Sequence, residues 1–405
     1  MNAADQVPFT WPREWKDGAL LELLEGTPFN CLLVPRERNA VQDAARRRNL
    51  AVFEAPPPEV SAIDGVWPGI RMSERGRRDE AESGPTGAPW IDSNGWQVLL
   101  ARARSPKPVW VTCGPDAAAA PPGEQDYLLA VADVAAAGGR WVASLHPAHA
   151  AALAGRAPEA AASWKALAAA AAFFQQHRQW SDWPPAGPLA VISDFAGGNE
   201  FLATEVLNLA ARRNLLYRVV DRSSAAKVPA VPAALYCDKE PPAPALKSSL
   251  EAFVKSGGVL IAPASVAKAF GGAPAESPVP GYDVWRAGKG RVAAPREDWS
   301  DPFLLAADAH ILMSRRHDPV RIFNASSLGV YFSQKGAAAL VQLVNFPRRA
   351  AARDVTLSVT GRWRTARFLS LEKPAAQPLP PVPAGRAVEF HLPPFALYAA
   401  VELVA

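Results

Sequence analysis

From Leu189 to Asp221 the chain reads LAVISDFAGGNEFLATEVLNLAARRNLLYRVVD, and this stretch decides the fold. LAVISDF is a continuous apolar run, which suits a strand covered on both faces. GG makes a turn, NEFLATEVLNLAARRN a helix and LLYRVVD the next strand. Further on come a strand AALYCD, a helix LKSSLEAFVKSGG and a strand VLIAP. Four strands and two helices in about 75 residues predict a flavodoxin-like α/β layer over 186–280. Gly257 and Gly258 close its second helix, where a left-handed cap is wanted.

Working back toward the start, a proline-rich hinge, SDWPPAGP, separates this layer from residues 1–185. There FTW, FNCLLV, LAVFEA, GVWPGIRM, APWID, PVWVTCG and RWVASL alternate with helical stretches such as NGWQVLLARARS and SWKALAAAAAFFQQHRQW. Apolar strands each followed by a helix predict a parallel sheet covered on both faces. About seven strands in roughly 185 residues point to a (β/α) barrel that is trimmed or incomplete.

After about Pro280 the apolar period becomes two: GRVAAP, VRIFNAS, LGVYFS, ALVQLVNF, DVTLSVTG, TARFLSL, AVEFHL and FALYAAVEL. Turns at short intervals predict an antiparallel β-sandwich over 281–405, led by the helical segment DPFLLAADAHILMSRRHD. The fold class is α/β multidomain.

Composition agrees with several folded domains, since 405 residues exceed what one core serves. Hydrophobic residues at 49% and charged residues at 20% exclude a disordered chain, and 40 prolines exclude a helical bundle or coiled coil. Charge is interspersed, 43 basic against 39 acidic residues, so no nucleic-acid partner is expected. No apolar run is long enough to span a bilayer, and MNAADQVPFTWPREW lacks the pattern of a signal peptide, so a cytoplasmic protein without membrane contact is expected. Cys31, Cys113 and Cys237 each sit inside an apolar run and read as buried strand residues rather than zinc ligands or a disulfide framework.

The order of trimmed barrel, flavodoxin-like layer and sandwich resembles the bacterial β-galactosidases of glycoside hydrolase family 42. FVKSGGVLIAP looks like the helix, glycine pair and buried strand of their amidotransferase-like middle domain. VQLVNF through VTLSVTGRWRTARFLSL to VEFHLPPFALYAAVEL is similar to their closing sandwich. The resemblance implies hydrolysis of a β-linked oligosaccharide by paired carboxylates, and a homo-oligomer formed through the middle domain. The family's two glutamates are not found at matching positions.

In a barrel the active site lies at the carboxyl ends of the strands. Glycosidic cleavage needs one carboxyl to protonate the leaving oxygen and one to attack or to activate water. Glu54 after LAVF and Asp92 after APWI are the candidate pair, with Asp92 as acid. PWIDSNGW sets Trp90 and Trp96 around Asp92 and Asn94, aromatic plates beside polar groups as a sugar requires. Trp67, Arg71 and His146 complete the substrate-binding set, and ten of the 13 Trp lie in the first 183 residues. No cofactor or metal is expected: His146 and His149 flank Pro147 without a third ligand. Asn199 and Glu200 read as a helix start, Cys237 lacks an activating helix or histidine, and RAGKGRV reads as a hairpin turn. GIRMSERGRRDE reads as a solvated barrel loop.

The competing reading is a non-catalytic carbohydrate-binding or assembly relative. An amidohydrolase-type barrel is disfavoured because no HxH pair follows an early strand.

Overall fold

The computed structural model describes residues 2–71, 89–347 and 350–405. Its first unit contains β1 (Pro8–Thr10), β2 (Cys31–Leu33), β3 (Ala51–Phe53), β4 (Ser61–Asp64), β5 (Gly69–Ile70), β6 (Ile91–Asp92), β7 (Val109–Thr112) and β8 (Arg140–Trp141). The helices between them are α1 (Asn39–Arg47), α2 (Gly95–Arg104) and α3 (Glu124–Ala136), followed by α4 (Pro147–Ala154) and α5 (Pro158–Gln176). β1, β2 and β3 pair in parallel, as do β4, β7 and β8. Thr10 N donates to Ala143 O at 2.8 Å and Ala143 N to Pro8 O at 3.1 Å, which joins the two ladders.

The strands therefore run β3-β2-β1-β8-β7-β4, the order expected of a (β/α) barrel, with no pairing between β3 and β4 among the described residues. Because side chains alternate along a strand, Cys31 and Leu33 turn into the interior with Val60, Trp110 and Val142, while Leu32 and Val111 meet the helices. Both faces are apolar, hence the continuous runs. Burial in this interior pushes the Cys31 thiol up to about 12.

Two expectations need correction here. GVWPGIRM is not a barrel strand; the strand is SAID, Ser61–Asp64, just before it. Pro68 offers no N–H and Gly69 takes φ 148, so among the described residues of this run only Gly69–Ile70 forms a strand, and it pairs antiparallel with Ile91–Asp92. APWID is thus the return strand of a hairpin inside the loop between β4 and α2. Six strands rather than about seven build the barrel among the described residues. Residues 72–80 of GIRMSERGRRDE lie outside the described residues.

The second unit holds β9 (Leu189–Ser193), α6 (Glu200–Arg212), β10 (Tyr217–Asp221), β11 (Ala233–Tyr236), α7 (Pro244–Lys255), β12 (Val259–Ile261) and α8 (Ala264–Ala267). To these it adds β13 (Ala273–Ala275), β14 (Tyr282–Ala287), β15 (Gly290–Pro295) and α9 (Pro302–Met313). The sheet order is β10-β9-β11-β12-β15-β14-β13, parallel as far as β15. GRVAAP, expected in the sandwich, is thus an internal strand here, and the break expected near Pro280 falls inside this sheet. Residues 292–295 are all buried, as in a strand covered on both sides rather than one. Gly257 takes φ 121 after α7, and a Cβ on Gly290 would stand 2.2 Å from Val254 O, so the helix can close on the strand only over glycine.

The last unit holds β16 (Val320–Phe323), β17 (Leu328–Lys335), β18 (Ala338–Asn345), β19 (Thr356–Thr360), β20 (Thr365–Ser370), β21 (Gln377–Pro378), β22 (Val382–Ala384), β23 (Ala387–His391) and β24 (Tyr398–Val404). The sheets β16-β19-β23-β22 and β17-β18-β24-β20-β21 enclose Val341, Leu357, Phe368 and Phe390. The outer face of the five-stranded sheet packs Leu340, Val344 and Tyr398 on Leu129, Ala132 and Phe173 of α3 and α5. Gln342 bridges this boundary: its Nε2 donates to Ala136 O at 2.9 Å and its Oε1 accepts from Tyr398 Oη at 2.6 Å. No helix among the described residues is long and apolar enough to cross a membrane.

Candidate functional site

The residues chosen from the sequence fall into three groups. Asp92, Arg71 and Trp90 meet on the β5–β6 hairpin. Arg71 Nε and Nη2 donate to Asp92 Oδ2 and Oδ1 at 3.1 and 2.6 Å, so both carboxylate oxygens are engaged by one guanidinium fork. Arg212 of α6 lies 3.5 Å from the centroid of the Trp90 ring, and Arg71 5.5 Å. Burial lowers Arg212 to about 10, opposed by the Asp92 charge. A ring face already covered by a guanidinium is not open to a sugar, and the hairpin instead latches the barrel loop to the middle layer.

Asn94 and Trp96 form the second group, at the start of α2. Asn94 is fully buried: Oδ1 accepts from Val66 N at 2.8 Å, Nδ2 donates to Val66 O at 2.9 Å, and its backbone N–H donates to Asp133 Oδ2 at 2.7 Å. Every polar atom of its side chain serves the loop, so Asn94 holds the entrance rather than a ligand. Trp96 packs on the core of the middle layer beside Leu100.

Trp67 and His146 make the third group, near the carboxyl ends of β4 and β8. Trp67 sets its edge against Tyr127 and Trp141, each with ring centroids 5.4 Å apart. Tyr127 Oη accepts the His146 N–H at 3.0 Å. His146 caps α4 by accepting from Ala148 N at Nδ1, 3.1 Å, which leaves the proton on Nε2. The buried Nε2 of His146 and Nε1 of Trp67 have no hydrogen-bond partner among the described residues. Glu54 stands apart at the end of β3, exposed, with Arg36 at 3.9 Å. No hydrogen bond or ion pair among the described residues joins Glu54 to Asp92.

Sequence reasoning missed Asp64, Thr112 and Cys113. Asp64 ends β4, and Thr112 of the neighbouring β7 donates to its Oδ1 at 3.1 Å. Cys113 follows; burial and then the Asp64 charge push its thiol up, against a backbone hydrogen bond from Trp67. The signal was present in SAID, two apolar residues ending on a carboxylate, but GVWP beside it is more strongly apolar.

The middle sheet gathers a further polar cluster where its strand order reverses, the place such sheets offer to ligands. Asp194, Asp238 and Glu240 bring carboxylate oxygens within 4.8 Å of one another. Arg222 fills the space between them, pairing with Asp238 and donating to Asp194 at 2.8 Å and Glu240 at 3.3 Å. This cluster is closed by its own cation. Glu200 sits in the first turn of α6, as a helix start demands, and burial pushes the Cys237 thiol far up, so it is inert.

No family model matches the sequence, and no curated protein matches it. Solved structures do. α-L-Fucosidase isoenzyme 2 from Paenibacillus thiaminolyticus superposes with TM-score 0.55 at 12% identity, over 90% of this chain and 70% of that one. A β-galactosidase from Bacillus circulans sp. alkalophilus gives 0.51 at 10% identity, over 77% of this chain and 58% of that one. A rhamnosidase from Novosphingobium sp. PP1Y gives 0.51 at 12% identity over 90% of this chain, which spans 38% of its length. What is shared is the fold, an α/β multidomain architecture.

Proposed function

We propose that the chain is a carbohydrate-active protein of the glycoside hydrolase type that takes a β-linked oligosaccharide at the carboxyl rim of its barrel. The carrying observation is the ladder order β3-β2-β1-β8-β7-β4, which sets Glu54, Asp64 and Thr112 on one rim, with Trp67 following β4. Strand ends over a packed interior are where barrel folds place chemistry. Glu54 and Asp64 supply the two carboxyls that glycosidic cleavage needs. Asp92 holds Arg71 instead. The middle unit extends through α9 in this reading, and self-association runs through that unit.

A second reading, a non-catalytic carbohydrate-binding or assembly relative, is favoured by a specific observation. Glu54 and Asp64 are both exposed, whereas a glycosidase acid works from an apolar pocket that favours its neutral form. Turnover of aryl β-galactosides, xylosides and arabinosides, with calorimetric titration of the same sugars, separates the two. Enzymatic function predicts turnover lost in Asp64→Asn and Glu54→Gln with binding retained. Binding without turnover by the unaltered chain selects the second reading, and no heat with any sugar removes carbohydrate altogether.

A further inference from the structure

One end of the four-stranded sheet carries four arginines around a groove of about 820 Å³. Arg316 comes from the segment leading into β16, Arg321 from β16 itself, Arg362 from the β19–β20 turn and Arg386 from the β22–β23 turn. Backbone bonds lock these turns together: Thr360 N donates to Pro319 O at 2.8 Å and Gly361 N to Arg386 O at 2.9 Å. Arg321 Nη2 is steadied by Arg315 O at 2.6 Å, and Arg316 Nε donates to His317 Nε2 at 3.2 Å. Burial, then the Arg316 charge, lowers the His317 pKa, so that ring accepts as the neutral form. Arg362 and Arg386 are exposed, and neither side chain has a hydrogen bond or ion pair among the described residues.

Glu389 is the single side-chain carboxylate among the lining residues, which also include Ala405. Asp318, nearby, is engaged by His310 at 2.9 Å and also pairs with Arg321 Nε at 3.9 Å. Four guanidinium groups, one of them paired with Asp318, still outnumber the carboxylates around this concave site and focus a positive potential. Planar forks match sulfate and carboxylate groups two bonds at a time.

We propose that this groove binds a linear anionic polysaccharide, sulfated or carboxylated, at a site separate from the barrel rim. The ligand class rests on the carbohydrate reading above, but the site needs no catalysis. Single-stranded nucleic acid would ask for successive aromatic platforms. Among the lining residues Phe323 is the exposed ring, at 45%, while Trp363 is 9% exposed and donates Nε1 to Thr360 O. Ser358 and Gln334 offer neutral hydrogen-bonding groups of the kind sugar hydroxyls use, and the Thr360 hydroxyl, which donates to Asp318 O at 3.1 Å, can still accept.

The test measures binding of the intact chain to dextran sulfate, unmodified dextran and oligo(dT) across a salt series, with Arg362→Gln/Arg386→Gln as the variant. Both positions are exposed, so the fold is expected to survive, and a thermal melt checks it. Dextran sulfate should bind saturably and dextran should not. The double variant should lose about tenfold or more in affinity and show a shallower salt dependence. A control of equal charge change on the barrel, Arg47→Gln/Lys165→Gln, should bind as the unaltered chain does. The proposal is overturned if the double variant stays within about twofold of the parent, or if the control weakens as much. It is equally overturned if oligo(dT) binds more tightly than dextran sulfate and loses that binding in the same variant. Loss of glycoside turnover alone leaves it standing.

Discussion

Replacing Asp133 by Asn should stabilise the protein at neutral pH, and the gain should vanish in acid. Asp133 lies on α3, fully buried, and burial pushes its carboxyl from 3.8 up to about 6. The hydrogen bonds from Asn94 N at 2.7 Å and Asn94 Nδ2 at 3.0 Å, both to Oδ2, only partly offset that penalty. The native state therefore holds a proton between about pH 4 and pH 6 that the unfolded chain has released, so stability falls as pH rises through this window. Two pKa units correspond to about 3 kcal/mol.

An asparagine can place its oxygen where Oδ2 stands and accept both bonds, and turn its amide toward Tyr331 Oη, now 3.4 Å from Oδ1. Weakening two charge-assisted bonds costs about 1–2 kcal/mol, leaving a net gain of about 1–2 kcal/mol at pH 7. Below about pH 4 the native and unfolded carboxyls are both protonated and the gain disappears. Urea unfolding of parent and variant from about pH 4 to pH 8 reads the difference directly, since groups common to both cancel. A variant less stable than the parent at pH 7, with the same pH slope, would refute the reasoning.

Gly65→Ala should lower the melting temperature, because a Cβ there would stand 2.3 Å from Val111 Cγ1 and 2.6 Å from Asn94 Oδ1, an overpacking cost of about 1–3 kcal/mol. Trp90→Ala should cost about 1–3 kcal/mol of stability through lost contact with Arg212 while leaving sugar affinity unchanged in calorimetry; weakened sugar binding with intact stability would return Trp90 to the ligand site. Asp92→Asn should leave turnover in place, and its loss in a folded variant would reinstate Asp92 as the acid. Light scattering should give an oligomeric mass, and a monomeric mass at micromolar concentration removes the self-association through the middle layer.

Much of the architecture was legible because burial on two faces leaves a plain mark: LAVIS, AALY and FNCLLV have no polar alternation and proved to be parallel strands. The sandwich strands announced themselves by alternation, as in VRIF. GRVAAP misled because a six-residue strand of mostly small residues reads the same in either setting, and only its partners, β12 and β14, distinguish them. The site was less legible. Asp92 and Trp90 have the composition of a sugar site, yet what they do is set by Arg71, 21 residues back, and by Arg212 on another unit. No local pattern encodes a partner that distant, and the same holds for Asn94, whose apparent exposure beside Gly95 hid a buried clamp.

The five-stranded sheet is covered on one side by its sister sheet and on the other by α3 and α5, and β24, the last strand of this chain, runs through its middle. During synthesis the barrel helices are made early, but the surface that covers Leu129 and Ala132 cannot assemble until residues 398–404 have left the ribosome. The nascent barrel must wait with an apolar flank open for more than half the length of the chain. Deleting residues 398–404 would therefore act at the far end of the molecule, by stranding the first-made unit without its cover.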